Sequence, residues 1–322
     1  TLFWLIWNER STKQEQQELL NIVIVGGGAT GIEVAGILSE MKKFVLPNDY
    51  PDMSSSLMHI YLIEAGPRLL AGMSEESSAH AEQFLREMGV NILLNKRVVD
   101  YRDHKVVLED GTEIATRTFI WVSGVTGVTI GNLDASLIGR GGRIKVDSFN
   151  RVEGMNNVFA IGDQCIQLAD ENYPNGHPQL AQVAIQQGEL LAKNLIRMEK
   201  GQEMKPFHYR NLGSMATVGR NRAVAEFSKV KMQGWFAWVM WLVVHLRSIL
   251  GVRNKVIVLL NWVWNYFTYD QSMRMIVYAR KAKEIRDREK LEETNHWGKE
   301  LIQEPKQHSP QEIQQASEQE KK

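Results

Sequence analysis

Residues 21–36 read NIVIVGGGATGIEVAG: a short Val/Ile run, a glycine cluster, then a helix-like pattern. An apolar run of this length without polar alternation predicts a central strand of a parallel sheet, buried on both faces. Gly26, Gly28 and Gly31 stand on the G-x-G-x-x-G spacing. The first glycine permits a tight turn, the second lets a pyrophosphate approach the backbone, and the third lets helix pack on strand. Ile32, Val34, Ala35 and Leu38 continue the stretch as a half-buried helix, whose free N–H groups and positive dipole end face that phosphate. The alternative is a purely structural glycine turn.

A second strand, residues 58–63, ends in Glu64. An acid at that strand end hydrogen-bonds the adenosine ribose hydroxyls, which favours NADH over its phosphorylated form. The spacing from Gly31 exceeds the usual ~20 residues, because residues 44–56, with Pro47 and Pro51, read as an insertion. Ser74 caps the next helix, Glu75 and Glu76 fill its first turn, and Gly89 ends it ahead of a third parallel strand at 90–94. Residues 98–122 shorten and alternate around Glu109-Asp110-Gly111, an antiparallel meander before a closing strand at 118–122. Gly124 follows that strand directly. It is either beside the cofactor, at the carboxyl end of the sheet, or an ordinary loop glycine. Residues 21–125 thus read as a Rossmann-like NADH-binding domain.

Composition narrows the function. The 322 residues suffice for two modest cores, and 38 Lys and Arg balance 38 Asp and Glu, so overall charge gives no reason to expect a nucleic-acid partner. Cys165 is the one cysteine, which excludes disulfide scaffolds, Cys-rich zinc sites and C-x-x-C redox pairs; no metal site is expected. The chain starts at Thr1 without a signal-peptide pattern, and residues 1–20 read as a leader and linker, polar and exposed from residue 11.

Further on, residues 139–146, GRGGRIKV, form a turn leading to a strand, with the arginines solvated. Residues 157–161 read as a short strand closed by Gly162-Asp163. Asp163 has two readings, a carboxylate accepting hydrogen bonds from sugar-like hydroxyls or a plain helix cap. Residues 179–198 are helical by pattern, with Leu180, Val183, Ala184, Leu191 and Leu195 as the buried stripe. Gln182, Gln186 and Gln187 lie together near its start, either solvated or offering amides to a flat polar ring.

The combination VGGGATGIEVAG, IEAGPRLL, NVFAIGD, AQVAIQQG and LGSMATVGR resembles the type II NADH dehydrogenases, single-chain flavoproteins that pass electrons from NADH to a membrane quinone without pumping protons. The resemblance runs from about residue 14 to about residue 276. It implies an α/β fold in which Gly26, Gly28, Gly31 and Glu64 hold NADH. Glu33, placed in the first helical turn, resembles the family glutamate beside nicotinamide and flavin; its alternative is a carboxylate favoured by the helix dipole. Gly162 and Asp163 are implied at the FAD ribityl and phosphate region, and Gln182, Gln186 and Gln187 beside the flavin ring and quinone pocket. The family's first FAD-binding glycine motif has no counterpart before residue 21, so the chain reads as the C-terminal portion, with residues 126–228 the second half of an FAD domain. An NADH-binding fragment without flavin and an apoptosis-inducing-factor-like reductase are the alternatives.

Composition shifts again at residue 229. The apolar runs 234–246 and 256–267 are each shorter than the ~20 residues that a spanning helix needs. Lys229, Lys231, Arg247, Arg253, Lys255, Arg274, Arg280, Lys281 and Lys283 face one acid, Asp270. Trp and Tyr beside Lys and Arg predict a monotopic anchor over residues 229–283 on an anionic lipid surface, with two packed core helices as the alternative. The expected location is peripheral, on the cytoplasmic face of the cell membrane; homodimerisation is left open. Residues 284–322 read as a solvated polar tail.

Overall fold

Side-chain alternation along the first strand organises the fold. In the computed structural model, which describes residues 12–49, 55–128, 130–228, 230–249 and 251–268, Thr12 caps helix α1 (Lys13–Leu20) and exchanges hydrogen bonds with Glu15. Leu19 and Leu20 are buried, so the end of α1 joins the core and only its start matches the exposed linker expected. Strand β1 (Asn21–Val25) follows directly and is buried throughout. Ile22 and Ile24 point to one face of the sheet and Val23 and Val25 to the other, which is why the strand carries no polar alternation.

After β1 come α2 (Ala29–Glu40), continued by a π-helical turn (Met41–Val45) and a short helix (Leu46–Asp49), then β2 (His59–Ile63), α3 (Glu75–Glu87) and β3 (Val90–Leu93). The meander β4 (Val98–Arg102), β5 (Lys105–Leu108) and β6 (Glu113–Ala115) precedes β7 (Thr118–Trp121). Strands β3, β2, β1 and β7 pair in that order, all parallel. β7 returns beside β1, and the reversal of strand order between them is where α/β proteins bind ligands, at the carboxyl edge.

One face of this sheet packs on α2 and α3 through Ile32, Ala35, Ala81 and Leu85. The opposite face is covered by the meander through Val106, Leu108 and Ile114. A small parallel pair follows, β8 (Ile144–Val146) and β9 (Cys165–Gln167), then helix α4 (Ala181–Glu199) and an antiparallel sheet of β10 (Ser214–Gly219), β11 (Arg222–Phe227) and β12 (Val230–Gln233). Helices α5 (Gly234–Ser248) and α6 (Val252–Thr268) close the described chain. Residues up to Trp262 form one compact unit; from Val263 a second unit begins, described only to the end of α6.

Ala216, Val218 and Val224 of β10 and β11 join the same core as α2 and α3, so both helices are packed between two sheets. Gly36 makes this possible: a Cβ there would lie 1.7 Å from the Val218 carbonyl oxygen. The Glu226 carboxylate reinforces the join by accepting from the Ser74 backbone N–H at 3.0 Å and from its hydroxyl, at the start of α3.

Three local expectations are corrected. Residues 157–161 form no strand: Phe159 makes an isolated antiparallel bridge to Arg151, because the chain turns at Gly154 and leaves no room for a longer ladder. Arg143 is not solvated; its guanidinium donates to the carbonyls of Cys165 at 2.7 Å and His177 at 3.0 Å. The buried face of α4 is Val183, Gln187, Leu190 and Asn194, while Leu180 and Leu195 are exposed. Two polar residues face inward there because each serves distant backbone, Asn194 by holding both the N–H and the carbonyl of Lys205. Residues 1–11 and 269–322, with part of the expected leader and anchor and all of the expected tail, lie outside the described residues.

Gly36→Ala forces α2 off β10, because the obstructing atom is backbone and cannot rotate away. Urea unfolding should show a loss of about 3 kcal/mol.

Candidate functional site

At the carboxyl edge, β1 leads into Gly26, whose φ of 116° suits glycine and whose added Cβ would meet the Val122 carbonyl at 2.7 Å. Gly31 lies against the same turn, with a Cβ position 1.8 Å from the Gly26 carbonyl oxygen. Gly28 is the opposite case. It is exposed, nothing lies within 4 Å of its Cβ position, and it precedes α2 without any side-chain cap. Two glycines therefore close the turn on itself, and the third leaves open space over uncapped helix N–H groups, the arrangement that receives a phosphate.

Glu64, directly after β2, reaches this turn. One carboxylate oxygen accepts from the Gly27 N–H at 2.6 Å and the other from the Gly66 N–H at 2.7 Å. A carboxylate has about four lone-pair positions, so two fix its orientation and the rest remain for ligand hydroxyls. The neighbouring Arg68 donates to the carbonyls of Leu70, Met73 and Ala71, so the loop's one arginine is committed to backbone. Gly124, beyond β7, has φ 95° and an open Cβ position on the same edge.

Glu33 lies one turn further along α2 than the sequence reading places it; the first turn holds no acid. It is half-buried against β10, where its carboxylate accepts from the Thr217 N–H at 3.5 Å. Burial pushes its carboxyl up, against the Thr217 N–H, the His245 imidazole and a hydrogen bond with the Trp241 side chain.

A second cluster surrounds the start of α4. Gly162, with φ 65°, opens a single 3-10 turn (Gly162–Gln164). Its N–H donates to Gln187 Oε1 at 2.6 Å, and Gln187 is buried. Asp163 is exposed, and α4 starts not at it but after Leu180, again without a side-chain cap. Gln182 pairs with the Leu212 N–H and the Gly213 carbonyl, both at 3.1 Å. Gln186 pairs with the N–H and carbonyl of Arg210 at 3.1 and 2.9 Å. The amides thus fasten residues 210–213 along α4, rather than standing in solvent. Beside them burial pushes the Cys165 thiol up, which disfavours the reactive thiolate.

Sequence reading passed over a buried pair below this cluster. His177 Nε2 and Asp170 Oδ2 are 3.0 Å apart, both residues are almost fully buried, and Tyr173, Phe207 and Tyr209 enclose the imidazole. Their spacing matches no motif, and nothing short of the fold marks them. Burial alone would raise the Asp170 carboxyl, but hydrogen bonds from His177 and from the N–H groups of Asn172 and Tyr209 outweigh it and hold it below the ordinary value.

Residues 7–188 match the family described as pyridine nucleotide-disulphide oxidoreductase. The chain belongs to that family. Residues 211–269, which cover β10 to α6, match the NDH2 C-terminal domain. Among curated relatives, the chain is 35% identical over 261 residues to the type II NADH:quinone oxidoreductase NdhA of Mycobacterium tuberculosis, covering 77% of this chain and 54% of that protein. It is 32% identical to an internal alternative NAD(P)H-ubiquinone oxidoreductase A1, mitochondrial, of Arabidopsis thaliana, covering 79% and 52%. The chain thus spans about half the length of these relatives. Its fold is similar to that of NDH2 from Plasmodium falciparum in complex with NADH, with TM-score 0.74 and 19% identity over 83% of this chain and 70% of that one. The disulphide of the family name has no counterpart in these residues, which hold a single cysteine.

Because the folded Asp170 carboxyl lies below its unfolded value, its contribution to stability is complete above about pH 4 and is lost as pH falls through the folded value. Asp170→Asn should lower stability at neutral pH by about 3 kcal/mol. In thermal melts recorded against pH, the gap between the two proteins should then close on acidification.

Proposed function

We propose that the protein is an NADH:quinone oxidoreductase working through FAD at a membrane surface. The observation that carries this reading is the union, in one chain, of a ribose-type carboxylate at an open glycine turn with an NDH2 C-terminal domain whose helices are apolar and bare. The glycine turn fits the dinucleotide: Gly28 and the first N–H groups of α2 would hold the pyrophosphate, and Glu64 the ribose hydroxyls. With Arg68 engaged by three carbonyls, the loop has no free cation for an extra phosphate, which favours NADH.

The Gly162 turn fits an FAD chain of hydroxyls and phosphate, since Asp163 is exposed and the start of α4 is uncapped. Gln187 acts there by fixing Gly162. Gln182 and Gln186 hold residues 210–213 as a ledge on which Leu212 is exposed, and the ledge would border the ring and the quinone. Bound flavin supplies hydride acceptance and onward electron transfer. The residues bind, orient and keep one side open.

For the membrane, Trp235, Phe236, Met240 and Val243 of α5 are exposed, as are Val252, Leu260, Trp264 and Phe267 of α6. Among the described residues no helix is long and apolar enough to cross a bilayer. Exposed aromatics on two short helices beside Arg247, Arg253 and Lys255 support interfacial docking on anionic lipid.

Two measurements test the reading. The chain purified in detergent with FAD should show a flavin absorption band that NADH bleaches and a quinone restores. Flavin indifferent to NADH, or none bound, contradicts the assignment for this chain. Phe236→Ser and Trp264→Ser should each weaken co-sedimentation with anionic vesicles by about tenfold; equal binding would place the anchor elsewhere.

A further inference from the structure

The His177–Asp170 pair lies between two segments of the second cluster, and hydrogen bonds run from it towards both. On one side, Arg143 donates from Nε to the Cys165 carbonyl at 2.7 Å and from Nη2 to the His177 carbonyl at 3.0 Å. One guanidinium thus ties residue 177 to the start of β9, directly after the Gly162 turn. On the other side, Asp170 Oδ2 accepts from His177 Nε2 at 3.0 Å and from the Tyr209 N–H at 3.4 Å, while Oδ1 accepts from the Asn172 N–H at 3.0 Å. Tyr209 leads straight into residues 210–213, the ledge that Gln186 and Gln182 fasten along α4.

A carboxylate only accepts, so Nε2 carries the hydrogen and Nδ1 is bare. Nδ1 is buried without a hydrogen-bond partner among the described residues, which leaves the Nε2–Oδ2 bond as the polar hold on the imidazole. Phe207, edge-on at 5.2 Å between ring centroids, and Tyr173 and Tyr209, at 5.2 and 5.9 Å, confine the ring. Both partners are almost fully buried, where water does not compete for the bond.

We propose that His177 and Asp170 are positioning residues that set the 210–213 ledge in register with the Gly162 turn, with Arg143 acting on the ledge through the His177 side chain. Helix α4 joins the same two segments through Gln187 at Gly162 and through Gln182 and Gln186 at the ledge. The buried pair closes a second path between them by way of Tyr209. Two separate attachments fix a relative position where one leaves a hinge.

The meaning for turnover rests on the function proposed above. The Gly162 turn would take the FAD hydroxyls and phosphate and the ledge would border the ring and the quinone, so the spacing of the two segments governs how the ring is presented. The nucleotide turn at Gly28 is not on this path.

The test is amide hydrogen exchange in the full chain in detergent, read at the Arg210 and Leu212 N–H groups with Ile24 of β1 as internal reference. Those two N–H groups bond to Gln186 and Gln182 and not to the pair, so a change there is transmitted. His177→Leu should speed exchange at both by about tenfold relative to Ile24, the effect of one buried hydrogen bond on local opening. His177→Gln, whose side-chain amide donates in place of Nε2, should return the rates to within about twofold of wild type. Arg143→Met should speed exchange by itself and add nothing in the His177→Leu background. If His177→Leu does not fold, Asp170→Asn takes its place in the cycle. Wild-type ledge rates in His177→Leu overturn the proposal, as does acceleration matched at Ile24, which is general loss of stability. Additive effects of Arg143→Met, or no rescue by His177→Gln, overturn it too. Neither NADH, flavin nor quinone enters the measurement, so its failure is distinct from failure of the oxidoreductase reading.

Discussion

Helix α2 lies against backbone at both ends of its inner surface. At Gly31 a methyl group would strike the Gly26 carbonyl, and at Gly36 the Val218 carbonyl, each at less than 2 Å. The first contact pulls the helix onto the turn after β1, so that its uncapped N-terminus opens over Gly28. The second pulls the antiparallel sheet onto the same helix, and with it α5. The open phosphate-type turn and the placing of Glu33 against β10 both follow from these close approaches. Side-chain packing of Ile32 and Ala35 adds apolar burial but does not set the distance.

The two clusters use polar groups in opposite ways. Around Glu64, backbone N–H groups orient a carboxylate and leave part of its capacity unused. Around α4, the amides of Gln182, Gln186 and Asn194 use both donor and acceptor on the main chain of residues 205–213. The first is an open site held ready. The second is scaffolding that shapes a neighbouring surface, and it explains why glutamines recur on a helix whose other side is aliphatic and exposed at Ile185 and Ile196.

What could be read from sequence follows from the range of the interactions. β1 and the glycine turn were legible because a strand buried on both faces carries an unbroken Val/Ile run, here residues 22–25, and because close approach of backbone leaves room only for glycine. The cap of α3 was legible at Ser74, whereas its partner Glu226 was not. The roles of Gln182 and Gln186, the Asp170–His177 pair and the contact of Glu33 with Thr217 depend on how separate elements stack, which periodicity does not encode. Residues 157–161 show the converse: strand-like composition yields a single bridge, Phe159 to Arg151, across the turn at Gly154.

In the function proposed, Glu64, fixed by the Gly27 and Gly66 N–H groups, receives the ribose of NADH at the open turn. Calorimetric titration of NADH into wild type and Glu64→Ala tests it most directly. Loss of the ribose hydrogen bonds should weaken binding by on the order of 1 to 3 kcal/mol, with the fold intact. Equal affinity in the two proteins would remove Glu64 from the site and, with it, the account of how this edge of the sheet recognises its ligand.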